Sequence, residues 1–127
     1  TKDERIVDAY LADERCTFLF TLNGYYNLFH SIEEASKPEN LQKMPKDLPV
    51  LFASGTKDPV GNFGKGVEQV RKAFQAVGME DVTWILYEND RHEILNETDR
   101  ATVYKDLYAW LYVRMSDPRR KTGGKRL

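Results

Sequence analysis

The chain has 127 residues, and its 19 lysine and arginine residues against 20 aspartate and glutamate residues give a formal net charge of −1. This length corresponds to one domain or less, and the near-neutral charge argues against nucleic acid or an anionic membrane surface as a partner. Apolar residues make up 41% of the chain, without a run approaching the roughly 20 residues that span a bilayer, so stable membrane insertion is not expected.

The cysteine content and the first residues bear on the compartment. Cys16 is the single cysteine, so an intramolecular disulfide cannot form, which fits a reducing compartment. Residues 1–5 are mostly charged and are not followed by the apolar core of a signal peptide. We therefore expect a cytoplasmic protein, with association at the membrane periphery left open.

Two helical patterns occupy residues 1–47. Apolar residues at spacing i, i+1, i+4, i+5 predict a short amphipathic helix over residues 3–11. A longer helix is predicted over residues 17–35, ended by Pro38, and its apolar residues cover more than one face. Such a helix is either packed core, which is the favoured interpretation, or the lining of a groove for an apolar ligand. In the second case Phe18 and Phe29 are the candidate substrate contacts.

Residues 48–117 predict a strand, a helix, a second strand and a last helix. The strands are predicted at 50–53 and 82–87, and the helix between them at 63–77, ended by Gly78. The last helix is predicted to start with Thr98 or Asp99 as its cap and to run to Met115. A crossover of this length makes the two strands parallel. Two parallel strands cannot bury themselves, so further strands are expected from sequence outside this chain or from a second copy.

Polar residues follow each predicted strand. Asp58 comes after the first strand and His92 after the second, and the carboxyl ends of neighbouring parallel strands are where open α/β sheets place their active sites. Each residue also has a simpler interpretation. Asp58 before Pro59 suits a turn, and His92 could be a surface histidine paired with Glu93 or Asp90.

Two other motifs are weak. The glycine-rich stretch 61–66 has the order G-x-x-G-x-G rather than G-x-G-x-x-G, so it does not indicate a phosphate site. His92-Glu93 begins like a zinc-binding H-E-x-x-H motif, but position 96 is Asn96. We therefore expect no metal site and no cofactor.

Several pieces of the chain, in order and at their spacing, carry a resemblance to a known family. Residues 48–111 resemble the carboxyl-terminal part of an α/β-hydrolase, most similar to the serine aminopeptidase-like branch that includes lysophospholipases and monoacylglycerol lipases. The matching pieces are LPVLFASG at 48–55, KDPVG at 57–61, YE at 87–88, DRHE at 90–93, NE at 96–97 and WL at 110–111. Residues before Leu48 resemble the helical cap that such enzymes insert over the active site.

The resemblance implies that Asp58 is the acid and His92 the base of a Ser-Asp-His triad. The chain departs from the family pattern because it contains no G-x-S-x-G nucleophile motif and no oxyanion-hole loop. Its serines lie at positions without that context, namely Ser31, Ser36, Ser54 and Ser116. We therefore expect a carboxyl-terminal fragment, or one product of a cleaved hydrolase, that is inactive alone.

The expected fold class is α/β, the carboxyl-terminal portion of an α/β-hydrolase fold. Residues 1–47 are expected to form the cap-like segment, 48–117 the hydrolase core segment and 118–127 a basic flexible tail. The expected substrate is a small-molecule carboxylic ester or lipid, similar to a lysophospholipid or monoacylglycerol, and the expected partner is the amino-terminal part of the same hydrolase or a second copy. Alternatives are a small-peptide aminopeptidase, a non-catalytic binding module, or an α/β domain that dimerises to complete its sheet.

Overall fold

The computed structural model describes residues 1–117; the expected basic tail lies outside these residues. The elements are α1 (Glu4–Ala12), α2 (Leu22–Ser36), α3 (Pro38–Leu41), β1 (Val50–Gly55), α4 (Lys65–Ala76), β2 (Val82–Tyr87) and α5 (Arg100–Ser116), with short 3-10 helices at Glu14–Cys16 and Ile94–Asn96. Within residues 1–117, none of the helices combines the length and the hydropathy that a membrane span requires.

The two strands form a parallel pair, as the crossover length predicted. Val50 lies opposite Val82, and the register continues to Gly55 opposite Tyr87. The helix α4 connects them, which makes a βαβ unit. Because both strands end at the same edge, the loops at residues 56–62 and 88–93 start next to each other. We call these the acid loop and the histidine loop.

The start of α4 differs from the prediction. The helix was expected from Phe63 but begins at Lys65, because Asn62, Phe63 and Gly64 have positive φ angles of 49°, 54° and 85°. A Cβ on Gly64 would lie 2.9 Å from Leu86 Cδ1, so the backbone approaches β2 closely here. The predicted end is confirmed, since Gly78 follows the helix with φ at 88°.

The start of α2 also differs. The helix was expected from Thr17, but it begins at Leu22 because the Thr21 side chain accepts a hydrogen bond from Gly24 N at 3.1 Å, which is the usual chemistry of an N-cap. Pro38 does end the pattern, but it also opens α3 at the first helical position, where its missing N–H costs nothing.

At α5 the predicted side-chain cap is absent. Asp99 occupies the capping position without a side-chain cap hydrogen bond. Its carboxylate instead accepts a hydrogen bond from Lys2 Nζ at 3.0 Å. The Asp99 carboxylate therefore binds the Lys2 ammonium group instead of a backbone N–H of the first turn of α5.

Buried polar side chains concentrate at the carboxyl edge of the sheet. Among residues 1–117, the buried hydrophobic side chains are Leu41, Met79, Tyr87 and Val103, and the buried polar or charged ones are Asp3, Ser54, Asp58, Asp90 and Glu97. Most of the buried carboxylates belong to the acid loop, the histidine loop or the segment between the histidine loop and α5. A buried charge is costly unless it is paired or hydrogen-bonded, so this edge is held together by polar contacts.

Candidate active site

Backbone hydrogen bonds hold the acid loop and the histidine loop side by side. Thr56 N donates to Tyr87 O at 2.9 Å, and Lys57 N donates to Asp90 O at 2.8 Å. A Cβ added to Gly55 would lie 2.1 Å from Asp90 O, so only glycine allows this approach of the two backbones. Backbone contacts alone therefore fix the separation of the two loops.

The acid loop places Asp58 against the histidine loop. Asp58 is 5% exposed, and its Oδ2 lies 3.1 Å from His92 Nδ1. Its Oδ1 accepts a hydrogen bond from Val60 N at 2.9 Å, and Ser54 Oγ approaches Oδ2 at 3.5 Å. The carboxylate is thus held from several sides with one oxygen directed at the imidazole.

Hydrogen bonds keep this carboxylate ionised. Burial raises the pKa of Asp58, but the hydrogen bond from His92 opposes it, and so do the backbone N–H groups of Val60 and Gly61. Together they hold the pKa of Asp58 below its ordinary 3.8. An ionised carboxylate can only accept hydrogen bonds, so His92 Nδ1 is the donor, and in the neutral imidazole Nε2 is then the acceptor. The His92 side chain is 62% exposed, so the imidazole is accessible to another group.

A second buried carboxylate, Glu97, holds the other side of the histidine loop. Its Oε1 accepts from Arg91 N at 2.8 Å, and its Oε2 accepts from Lys2 N at 2.8 Å and from Thr1 Oγ1 at 3.1 Å. Burial raises the pKa of Glu97, but the Arg91 and Lys2 backbone N–H groups outweigh it and hold the pKa below 4.5. In the sequence, Glu97 stood out as part of the NE piece of the family resemblance, and the contacts of its side chain were not foreseen.

The alternative partners considered for His92 are engaged elsewhere. Asp90 has no exposed surface, and its Oδ1 accepts a hydrogen bond from Lys2 Nζ at 2.5 Å. Burial raises the pKa of Asp90 above 3.8, although the hydrogen bond from Lys2 opposes it. Glu93 Oε2 accepts from Asn96 Nδ2 at 2.9 Å. The structure thus brings His92 to Asp58 rather than to either neighbour.

A pocket of about 240 Å³ lies beside His92. Its apolar lining comes from α1, namely Ile6, Val7, Tyr10 and Leu11. We call it the α1 pocket. The amphipathic spacing of these residues is visible in the sequence, but nothing local to α1 shows that it lies against His92.

Phe18 and Phe29 lie in a chain of exposed aromatic rings rather than in the lining of the α1 pocket. The ring centroids are 5.3 Å apart for Phe18 and Phe20, 5.4 Å for Phe20 and Tyr25, and 6.1 Å for Tyr25 and Phe29. We call these four residues the aromatic row. No residue of α2 is buried, so the favoured interpretation of this helix as packed core does not hold within residues 1–117.

The lowered pKa values of two carboxylates in the site predict how the free energy of unfolding depends on pH. The folded pKa values of Asp58 and Glu97 lie below the ordinary 3.8 and 4.5, so the unfolded chain takes up protons first as the pH falls. Their contribution to stability is therefore complete above about pH 5 and is lost progressively as the pH falls through the folded pKa values. The raised pKa of Asp90 acts in the opposite direction.

Urea unfolding from about pH 7 to about pH 3 measures this dependence. We expect the free energy of unfolding to be nearly constant at the upper end and to fall below about pH 4.5. Glu97→Gln should show a shallower fall, because one of the two groups that titrate there has been removed. A free energy of unfolding that rises as the pH falls from about 5 to about 3 would contradict this assignment.

Comparisons with known proteins bear on the family and the fold. The model of the family described as serine aminopeptidase, S33, matches residues 1–99. Among solved structures, a highly thermostable carboxyl esterase from Bacillus coagulans, crystallised with glycerol, is 27% identical and superposes with a TM-score of 0.78. The match covers 87% of this chain and 36% of the esterase chain, so the chain spans about a third of that enzyme's length. A comparison with curated proteins finds no match.

Proposed function

The chain belongs to the serine aminopeptidase S33 family of α/β-hydrolases, and from this premise we propose that it carries the acid and the base of a serine hydrolase that cleaves carboxylic esters. The family and the fold confirm the resemblance found in the sequence. The two parallel strands with their flanking helices correspond to part of the α/β-hydrolase fold.

The observation that carries the proposal is the contact of Asp58 Oδ2 with His92 Nδ1 at 3.1 Å, between residues 34 positions apart. In the proposed reaction His92 Nε2 takes the proton of a serine hydroxyl as the serine attacks the ester carbonyl, and then gives it to the leaving alcohol. Asp58 holds the imidazole in the required tautomer and stabilises the imidazolium. Water then attacks the acyl-serine while His92 Nε2 takes its proton, and His92 gives that proton to the serine oxygen as the carboxylic acid is released.

We place the nucleophile outside these residues, on the amino-terminal part of the same hydrolase. Support comes from the absence of G-x-S-x-G from the sequence and from the contacts of the serines. Ser31 Oγ and Ser36 Oγ donate to the carbonyls of their own helix, and Ser54 Oγ approaches Asp58 rather than His92. The chain alone is then inactive, with residues 1–47 as the cap-like segment and 48–117 as the core segment.

The proposed substrate is an ester with an apolar acyl chain, of the lysophospholipid or monoacylglycerol type. The aromatic row and the α1 pocket support this, since both offer apolar surface on the cap-like segment. Hydrolysis of small peptides remains the second candidate because the family description names an aminopeptidase. A non-catalytic binding module is the outcome if no nucleophile is found. The cytoplasmic location stays a prediction from the single cysteine, Cys16.

A series of ester substrates tests the acyl-chain proposal. In the nucleophile-bearing form of the enzyme, Phe18→Asp and Phe29→Asp should lower kcat/KM for p-nitrophenyl dodecanoate by about 10-fold or more, since covering an exposed phenylalanine ring with the bound acyl chain contributes up to about 1.5–3 kcal/mol. For the butyrate ester the loss should be much smaller, because a short acyl chain has little apolar surface to place against the aromatic row.

The matched control is Val113→Asp, which introduces the same charge at a residue of α5 that is 64% exposed. It should affect both esters little. Equal losses on the dodecanoate and the butyrate in the phenylalanine variants would count against an acyl groove at the aromatic row, while leaving the acid and base assignments untouched.

A further inference from the structure

Glu97 is a fully buried carboxylate that the proposed acid and base do not use. It has no exposed surface, and an ionised carboxylate in such a place is costly unless several donors surround it. Three donors do so. Arg91 N reaches Oε1, and Lys2 N and Thr1 Oγ1 reach Oε2. Glu97 thus joins its own loop, the histidine loop and the segment that precedes α1.

We infer that Glu97 is a positioning residue, which fixes His92 against Asp58 by tying the histidine loop to the segment that leads into α1. The inference rests on the proposed function in one respect, namely that the contact of His92 with Asp58 serves catalysis. The contacts themselves are independent of the reaction.

The histidine loop needs such an anchor. The His92 side chain is 62% exposed, so packing contributes little to holding the ring, and its place depends on the backbone. Two hydrogen bonds hold the peptide group that joins Asp90 to Arg91. Its carbonyl oxygen accepts from Lys57 N, and its N–H donates to the Glu97 carboxylate. Arg91 directly precedes His92, so losing this bond frees the residue that carries the imidazole.

The same carboxylate fixes the wall of the α1 pocket. Its Oε2 holds Lys2 N and Thr1 Oγ1, and the next residue, Asp3, caps α1 by accepting from Arg5 N at 3.1 Å. The position of α1 and the position of His92 therefore depend on one side chain. Loss of Glu97 is expected to loosen both together.

The chemistry of the site requires a carboxylate rather than an amide. A carboxylate only accepts hydrogen bonds, through both oxygens, whereas a glutamine offers one oxygen and one NH₂ group. In Glu97→Gln the NH₂ group must face either Arg91 N or the donors of Thr1 and Lys2. The variant keeps the size and shape of the side chain, so its effect reports on the hydrogen bonds.

Amide exchange and the imidazole proton of His92, followed by NMR on the whole chain, test the inference. In Glu97→Gln the Arg91 amide should exchange about 10- to 100-fold faster, corresponding to the loss of one hydrogen bond to a charged group. The low-field resonance of the His92 Nδ1 proton should broaden. The β1 amides should keep their protection, which a general loss of structure would not allow.

Glu80→Gln is the matched control, because Glu80 is exposed. It lies just before β2, at the end of the sheet opposite to the histidine loop. The inference is overturned if Glu97→Gln leaves the Arg91 amide and the His92 proton as they are in Glu80→Gln. Should Glu97→Gln fail to fold, the exchange rate of the Arg91 amide in the unmodified chain tests the inference instead. A protected Arg91 amide supports the anchor, and an amide that exchanges at the unprotected rate overturns it.

These measurements need no turnover, so they separate the inference from the proposed function. Failure of the enzyme to react with a serine-directed probe would remove the proposed function and leave the Glu97 anchor standing. An unchanged Arg91 amide in Glu97→Gln would remove the anchor while the acid and base assignments stand.

Discussion

Replacing His92 with alanine is expected to lower kcat for ester hydrolysis by about 10⁶-fold in the form of the enzyme that carries the nucleophile. The serine hydroxyl is a weak nucleophile until a base takes its proton, and the structure gives Asp58 no other imidazole as a partner among residues 1–117. Substrate binding should change less, because the imidazole acts mainly in the transition state.

His30→Ala is the matched control, since His30 is the other of the two histidines in the chain. It lies on α2, stacked on Tyr26 with ring centroids 5.8 Å apart, and its loss should leave kcat within about two-fold of the parent enzyme, as for most surface substitutions. A His92→Ala enzyme that retains a substantial fraction of the parent kcat would show that another group is the base.

Asp58→Asn is expected to lower kcat by about 10⁴-fold at neutral pH. Asparagine has the same shape, so it fits between Val60 N and His92 with little rearrangement. It removes the charge that stabilises the imidazolium, and its NH₂ group donates to Nδ1, which leaves the proton on Nε2 and disables the base. Measuring kcat together with the free energy of unfolding separates this effect from loss of structure.

The control for this variant is Asp8→Asn, the same change at an exposed residue of α1. Activity should then be near that of the parent enzyme. If Asp58→Asn reduced kcat only in proportion to the unfolded fraction of the enzyme, Asp58 would be a structural residue of the acid loop rather than the triad acid.

The strands were predictable because their signals are local. The apolar run and its flanking residues predicted β2 at the bounds it has, Val82–Tyr87, and the crossover length predicted the parallel pairing. The start of α4 was not predictable, because the positive φ angles of Asn62 and Phe63 accompany a close approach to β2. Such a contact between two elements does not change the hydrophobic periodicity of either one, so the sequence does not reveal it.

The same distinction applies to the site. The topology alone predicted that Asp58 and His92 would lie at one edge of the sheet, and the structure places them in contact. The role of their neighbours could not be derived, since the Glu97 side chain binds Lys2, 95 residues away. The capping pattern near α5 was the only local signal at Glu97, and it pointed to the helix instead of the histidine loop.

The most direct test of the account is labelling with a fluorophosphonate probe, which reacts with activated serines, read by intact mass. The 127-residue chain is compared with the longest form of the protein recovered from its native source. We predict that the long form is labelled and the 127-residue chain is not, because Asp58 and His92 then serve a nucleophile carried elsewhere. Labelling of the 127-residue chain, or of neither form, would contradict this account.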